Sequence, residues 1–523
     1  MFGLSQTDRA KKFQLRTQKS GTASVPACVG GWNARDSLAN MPETDAVSLI
    51  NWFPTPADVG VRKGFSNWVT GFSNAVETLM LYEGDTQEKL FAAAGTSFFD
   101  ATSPGAVGAA VQTGLTNAQW IHTNFTTTGG VRYLVAVNGA DKLRLWNGAA
   151  WIAVDGASTP AITGITTTAI NYVTTHKSRL WVTIKNTMEV WYSPVGGFGA
   201  FLLMDLRPVF KRGGTITAVE TWSLDGGYGM DDHLVFMSSN GEIAVYRGTD
   251  PSSANTWSMV GLYYFSTPIG KKPLYKFGGD LLVLCFDGML PLAQSLQSSR
   301  VNTQSALTDK IQYYLANQIS STFTTYGWQM TSTPTENALL INVPTSTTNV
   351  FEQYVMNTIT GAWCRFQGWN ARCWETWKDQ QYFGTGTAVC KAFDTFSDGG
   401  TSINTDMKTA FNYFGTRGQL KQWTMCRPIF QADGSNGALY GLNVDFADDL
   451  PTGSPSFTMS TAAAWDAGVW DSSVWGGSLA VQKQWQYLSG LGYCAAFRMT
   501  TQSNGTQLRL SSVDYVLKTG GVL

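Results

Sequence analysis

From about residue 75 onward one unit recurs along this chain: an alternating strand, a Gly or Asn turn, a second strand carrying an aromatic or apolar mark, then often a further turn and strand. The clearest copy sets Val131, Tyr133, Val135 and Val137 on one face, turns at Asn138-Gly139-Ala140-Asp141, continues through Leu143 and Leu145, turns again at Asn147-Gly148 and ends on Trp151-Ile152. Period-two apolar spacing broken by turn dipeptides is the pattern of antiparallel meanders. Comparable marks fall at Phe99 after Gly95, Trp191 after Asn186, Tyr246 after Asn240-Gly241 and Leu290 after Asp287-Gly288. With Trp146 of the clearest copy counted, they lie 47, 45, 55 and 44 residues apart. A lone unit of three or four strands cannot cover both its faces, so a repeat of roughly 40–50 residues must stack on its neighbours, as propeller blades do. The expected architecture is therefore a β-propeller, against an irregular array of β-sandwiches with coincidental spacing.

Composition agrees with an all-β chain. Only 14% of the 523 residues are charged and 13% are aromatic, with 54 Gly; aromatics pack well on pleated surfaces and Gly supplies the positive φ of tight turns. At ~100–200 residues per domain the length predicts two to four domains and excludes a small disulfide-stapled module. One helix is expected to interrupt the strands from about Leu307 to Ile319. Its stripe is Leu307, Ile311, Tyr314, Leu315 and Ile319, with Asp309 in the first turn and Ser305 or Thr308 as the cap. The β pattern resumes at Ala338 to Val343, passes Thr360-Gly361-Ala362-Trp363 and reaches Tyr382-Phe383-Gly384. Beyond about residue 400, Tyr440, Leu442, Val444 and Phe446 alternate, as do Leu491, Tyr493, Ala495, Phe497 and Met499, which predicts a second, sandwich-like β domain. The expected organisation is a basic arm over residues 1–30, the first part of the propeller over 31–305, a helical insertion over 306–327, closing propeller strands over 328–400 and a C-terminal β domain over 401–523.

Residues arranged for catalysis are sparse. The three histidines, His122, His176 and His233, stand apart in the sequence, with no G-x-S-x-G elbow or cysteine-protease signature beside them. Cys364, Cys373 and Cys390 are the nearest approach to a zinc site, but they lack a C-x-x-C knuckle and read as buried thiols in strands. Gly196-Gly197-Phe198-Gly199, Gly226-Gly227-Tyr228-Gly229 and Gly270-Lys271-Lys272 match neither a dinucleotide fingerprint nor a P-loop, and read as turns. Asp231-Asp232 and Asp448-Asp449 put adjacent carboxylates on opposite strand faces, which does not suit a glycosidase pair. Ser397-Asp398-Gly399-Gly400 is a single faint echo of the sialidase Asp-box. The expectation is no catalytic residue, no metal and no cofactor.

The 36 basic residues against 37 acidic ones leave a net charge of -1, so the chain as a whole has no electrostatic footprint for gripping nucleic acid. Seven cysteines spread over the chain suggest free thiols from a reducing cytoplasm. No apolar run suits a secretory signal or a membrane span. Basic residues cluster at Arg207, Lys211 and Arg212, which reads as a solvated face, and in the N-terminal arm. Arg9, Lys11, Lys12, Arg16 and Lys19 of that arm are candidates for docking onto an adaptor or a neighbouring subunit. In Trp465-Asp466-Ala467-Gly468-Val469-Trp470-Asp471-Ser472-Ser473-Val474-Trp475 a Trp returns every five residues, matching neither helix nor strand. Trp465, Asp466, Trp470, Asp471 and Trp475 are candidates for local packing or an inter-subunit contact.

Several blocks, in this order, resemble the tail hub or nozzle (packaged-DNA stabilisation) proteins of short-tailed bacteriophages. They are Asp45-Ala46-Val47 through Asn51-Trp52-Phe53-Pro54 with Arg62-Lys63-Gly64, Asp287-Gly288-Met289-Leu290-Pro291-Leu292, and Met356-Asn357-Thr358-Ile359-Thr360-Gly361-Ala362-Trp363, followed by the Trp-Asp repeat and Val513-Asp514-Tyr515. The resemblance implies a non-enzymatic virion protein without cofactors, made in the host cytoplasm and built into the tail. Its fold would be a β-propeller with added β domains, assembled as a six-copy ring beneath the portal and its adaptor. Such a ring extends the channel for double-stranded DNA, touches that DNA only transiently, retains the packaged genome and offers docking surface for fibres or tailspikes. The alternative from a different class is a soluble β-propeller that binds or hydrolyses glycans.

Overall fold

The turn read at Asn138 reverses the chain by a local polar device. At Asn138 the side-chain oxygen accepts the N–H groups of Ala140 (3.0 Å) and Asp141 (2.8 Å), and Gly139 takes the positive φ of +71° that the reversal requires. Strands Arg132–Val137 and Arg144–Trp146 pair antiparallel across it. A computed structural model describes residues 20–225, 230–295, 305–433, 437–452 and 480–522.

Seven such meanders are stacked in a ring among the described residues. Their innermost strands are Val76–Glu83, Ile121–Thr126, Ile170–His176, Ile216–Asp225, Leu274–Phe277, Gln329–Thr333 and Cys373–Trp377. Each touches the next, and the last returns to the first. The chain is thus a seven-bladed β-propeller. Phe99, Trp146, Trp191, Tyr246 and Leu290 lie on the third strands of blades 1 to 5, so the recurrence in the sequence is the blade repeat itself. Between blades 3 and 4 the aromatics form a pile, Trp181 on Trp257 at 5.5 Å and Trp257 on Tyr246 at 5.6 Å, both stacked.

The ring is closed by a strand from far upstream. Blade 7 takes Cys373–Trp377, Gln380–Gly384 and Ala388–Ala392 from late sequence, and its outer strand is Phe65–Thr70. The propeller therefore begins at Phe65 and not at residue 31. Residues 31–61 belong with the C-terminal part, in a two-sheet sandwich. One sheet holds Ser20–Pro26, Trp52–Pro54, Val59–Val61, Gln419–Ala432, Ala480–Gln482, Gln486–Gly492 and Leu508–Val522. The other holds Gly31–Trp32, Asp45–Ile50, Ile403–Thr409, Ala438–Val444 and Ala495–Ser503. Their inner faces share one core, with Trp423, Phe430 and Tyr515 from the first and Leu49, Met407 and Phe497 from the second.

Three further expectations are corrected. The basic arm does not run to residue 30, because Ser20–Pro26 pairs along Leu508–Val522; backbone hydrogen bonds and buried Val25 suffice where side-chain periodicity is weak. The helix is Gln312–Thr322, entered through a 3₁₀ turn at Asp309–Ile311. Thr308 does not cap it, because its hydroxyl accepts the Met289 N–H (3.1 Å) and donates to Gln312 Oε1 (3.1 Å). The alternation from Leu491 to Met499 spans two strands in different sheets. Asp445 Oδ1 accepts the Tyr493 (2.8 Å) and Cys494 (3.1 Å) N–H groups and turns the chain between them.

Propeller and sandwich are joined covalently, by sheet and by charge. Blade 6 continues into the sandwich where Ile50 bridges Arg365, and the core cluster of the sandwich includes Leu340 and Tyr354 of that blade and Ile311, Leu315 and Ile319 of the helix. At the same joint Arg62, with its side chain fully buried, grips Asp398 through two bonds of 2.8 and 2.6 Å. Its remaining donors go to Asn51 Oδ1 (2.9 Å) and the carbonyls of Lys63 (3.0 Å) and Gln367 (2.7 Å). The guanidinium lies over Trp369 at 4.6 Å. Removing one partner strands a buried charge, so Arg62→Ala or Asp398→Ala is expected to destabilise by about 3–5 kcal/mol, read from urea unfolding, with a double mutant far less than additive.

Candidate functional site

The residues that the sequence singled out for docking, Arg9, Lys11, Lys12, Arg16 and Lys19 in the arm and Trp465, Asp466, Trp470, Asp471 and Trp475 in the repeat, lie outside the described residues. What the structure does present is the propeller axis, where charged side chains gather on the innermost strands. Two adjoining cavities of about 410 and 380 Å³ share Ile121, Lys272, Gln329 and Trp374 in their walls.

The second cavity is crossed by one ion pair and one histidine–carboxylate contact. Lys276 Nζ donates to Glu220 at 2.9 Å, Thr174 adds a hydroxyl bond to the same carboxylate at 3.1 Å, and His122 Nε2 meets Glu375 at 3.1 Å. Burial first, then neighbouring Lys272, pushes the His122 imidazole below its ordinary value, which favours the neutral form with its proton on Nε2. The first cavity has a different balance. Lys271, Lys272 and Arg372 line it, and no Asp or Glu is among its lining residues.

Of the other histidines, His176 Nδ1 meets Thr221 Oγ1 at 3.2 Å, and that hydroxyl donates a hydrogen bond to the Thr175 carbonyl at 3.1 Å. His233 packs on Trp222, with centroids 5.6 Å apart. All seven cysteines are free and buried; burial pushes the thiols of Cys373 and Cys390 up to about 12 and that of Cys364 well above its ordinary value, which makes them poor nucleophiles. The Asp-box echo has a structural role: Asp398 is the partner of Arg62. Arg207 closes on Asp205 at 2.6 Å, while the Lys211 and Arg212 N–H groups cradle the buried Glu242 carboxylate at 3.0 and 2.8 Å. Asp448 serves as a shared acceptor for Lys408 and Arg498, both at 2.9 Å.

Sequence reasoning dismissed Gly270-Lys271-Lys272 as a turn. It is a bend that feeds blade 5, and it also delivers two lysines to the axis. Two adjacent cations in a charge-poor chain, just ahead of an innermost strand, were the available signal.

No family model matches this chain, and no curated relative matches it. Among solved structures it is similar to the extracellular domain of the hybrid two component system BT3049 from B. thetaiotaomicron, at 12% identity and a TM-score of 0.39, covering 60% of this chain and 40% of that one. It is also similar to BBS1N, solved in complex with ARL6DN, at 12% identity and a TM-score of 0.40, covering 65% and 99%. A third is the β-propeller domain of Cps50 (Swd1) from Myceliophteria thermophila, at 12% identity and a TM-score of 0.37, covering 62% and 99%. The order and closure of the blades define the fold independently of these likenesses.

Burial, reinforced by Lys177, lowers the His176 imidazole to about 4, whereas the unfolded chain titrates near ~6.5. The unfolded state therefore takes up the proton first. Stability is full above about pH 6.5 and falls as the pH drops towards about 4, by about 3 kcal/mol for this group, with His122 acting in the same direction. Urea midpoints at pH 7.5 and 4.5 should differ accordingly, and His176→Asn should reduce the difference.

Proposed function

We propose that this chain is a structural subunit of an oligomeric ring that continues a channel for double-stranded DNA, as a nozzle in the tail of a short-tailed phage virion. In this reading it stands in six copies below a portal and adaptor, helps retain the packaged genome, offers docking surface to fibres or tailspikes, and catalyses nothing itself. The observation that carries it is an edge of the sandwich that has no further strand partner among the described residues. Strand Gln486–Gly492 pairs with Gln419–Ala432 and exposes Tyr487 and Leu491 on one face, beside exposed Met425, which lies directly opposite Tyr487. An apolar face on an edge strand is an aggregation hazard in a monomer and a ready contact in an assembly.

A closed ring needs two different faces on each subunit. The second is supplied in this proposal by the outer strands of blades 3 and 4, where Leu202, Leu203, Met259 and Val260 are exposed. The axial cavities support the same reading from another side. They have the size of small-molecule pockets, and the Lys276–Glu220 pair crosses the second, so a duplex would have to pass between copies and not through one propeller. The near-zero net charge suits a wall that DNA slides past, since each neutralised phosphate would add to a salt-dependent hold. The arm residues Arg9, Lys11, Lys12, Arg16 and Lys19 and the Trp-Asp repeat are the proposed contacts to the adaptor and to neighbouring copies.

Electron-microscope images of the purified protein, or of particles carrying it, should show rings whose opening is wider than duplex DNA. Tyr487→Lys with Leu491→Lys should leave the subunit folded by circular dichroism and shift its mass to that of a monomer. A wild-type monomer that binds a neutral glycan would instead favour the soluble glycan-binding propeller. Deleting residues 1–19 should abolish incorporation into particles, and unchanged assembly would remove the arm from the proposal.

A further inference from the structure

We infer that the axial cavity beside Lys271 and Lys272 is a binding site for a small oxyanion, the phosphate or carboxylate group of a compact ligand. This stands independently of the ring. The cavity of about 410 Å³ lies within the range of small-ligand pockets. Three cations reach it from two separate places in the chain: Lys271 and Lys272 from the bend before blade 5, and Arg372 from the entry to blade 7.

Their counter-charges are scarce. Among the described residues Lys272 has no ion pair and no hydrogen bond from its side chain, and Lys271 reaches only the Gln119 carbonyl, at 3.5 Å, and the face of Tyr326, at 6.0 Å. Arg372 has Glu77 at 3.5 Å, donates to Asn349 Oδ1 and lies over the Phe351 ring at 5.6 Å, and none of these three residues is part of the cavity wall. Elsewhere Arg62 is matched by Asp398, Lys408 by Asp448 and Lys421 by three carbonyls. Burial first, then Lys185, pushes the Lys271 ammonium below its ordinary value, against a smaller opposing pull from Glu77. Trp374, common to both cavities, leaves its indole N–H without an acceptor, as several other tryptophans do.

The opposite wall does not supply the missing negative charge. It is the loop Phe323–Trp328 that follows the helix. The Thr322 carbonyl at the helix end is taken by the Trp328 indole (2.9 Å) and the Thr325 N–H (2.9 Å), and the Tyr326 hydroxyl is engaged with the Glu77 carbonyl and Thr78. The lysine bend is pressed against this loop: a Cβ at Gly270, where φ is +75°, would lie 2.8 Å from both the Trp328 carbonyl oxygen and its Cβ. The two lysines are thus held on a short, fixed stretch of backbone. An oxyanion seated here would accept from Lys271 and Lys272, with the Arg372 charge facing it from the entry to blade 7.

The test titrates the full-length protein with sodium phosphate, with glucuronate and with glucose at constant ionic strength, followed by calorimetry and by thermal unfolding. One saturable site for phosphate or for glucuronate, and none for glucose, is expected. Preference for phosphate assigns a phosphorylated ligand, and preference for glucuronate an acidic sugar. K271Q/K272Q should weaken that binding at least tenfold and leave the melting temperature without ligand unchanged or raised, because it relieves repulsion. K378Q, at an exposed lysine, should leave binding as in the wild type. Absence of saturable binding by either anion, or binding that K271Q/K272Q leaves intact, would overturn the assignment.

Discussion

The pairing of Arg62 with Asp398 is the contact on which the relation between the two halves of this molecule depends. Its residues come from opposite ends of the closing strand set, and the surrounding backbone is shaped to admit them. A Cβ on Gly64 would lie 1.9 Å from the Ser397 carbonyl oxygen, and one on Gly368, at φ +99°, would crowd Asp398 at 2.9 Å. The Trp369 indole donates to the same carboxylate at 2.9 Å while its ring carries the guanidinium. A buried ion pair is weak evidence for stability in general, because desolvation offsets much of the attraction. This one has every guanidinium donor satisfied, and its benefit lies in geometry: it fixes where the N-terminal strands leave the sandwich and enter blade 7.

The same economy of charge runs through the chain. With 14% charged residues, few are available for a merely solvated surface, and many serve as internal ties. Asp45, almost wholly buried, joins Asn33 (2.7 Å) to Lys310 (3.0 Å) and so connects the second sandwich sheet to the start of the helix. Asn357 caps its own turn through Ile359 N–H (2.8 Å) and donates to the Pro54 carbonyl at 2.9 Å, connecting blade 6 to the first sheet. The sequence blocks around Asp45 and Asn357 thus coincide with joints between elements, which gives both a physical reason to be what they are.

The repeat in blades 1 to 5 was legible because those blades obey local rules: alternating faces, an Asn or Gly turn ahead of the third strand, and an aromatic or, in blade 5, Leu290 on it. What was not legible is non-local. Nothing in Ser20–Pro26 or Phe65–Thr70 announces that one will lie along Leu508–Val522 and the other will complete blade 7, since those partnerships are made by backbone groups that every sequence has. The split at Tyr493 was hidden because alternation continued through the corner while Asp445, far away in sequence, redirected the chain. The axial lysines were hidden for a similar reason. Their spacing resembles a turn, and only ring closure brings them to Arg372.

Rigidity at the joint also bears on assembly. In the proposed ring one contact face lies on the sandwich edge, around Tyr487 and Leu491, and the other on the outer strands of blades 3 and 4. The number of copies that close is then set by the angle between those faces, because a heterologous contact repeated at an undefined angle gives filaments or mixed rings. A loose linker between propeller and sandwich would leave that angle free. Here it is held by a shared core, by the Ile50–Arg365 continuation of the sheet and by the Arg62–Asp398 pair. The interaction that organises a single subunit is therefore also the one that would select the symmetry of its assembly, without itself touching a neighbouring copy.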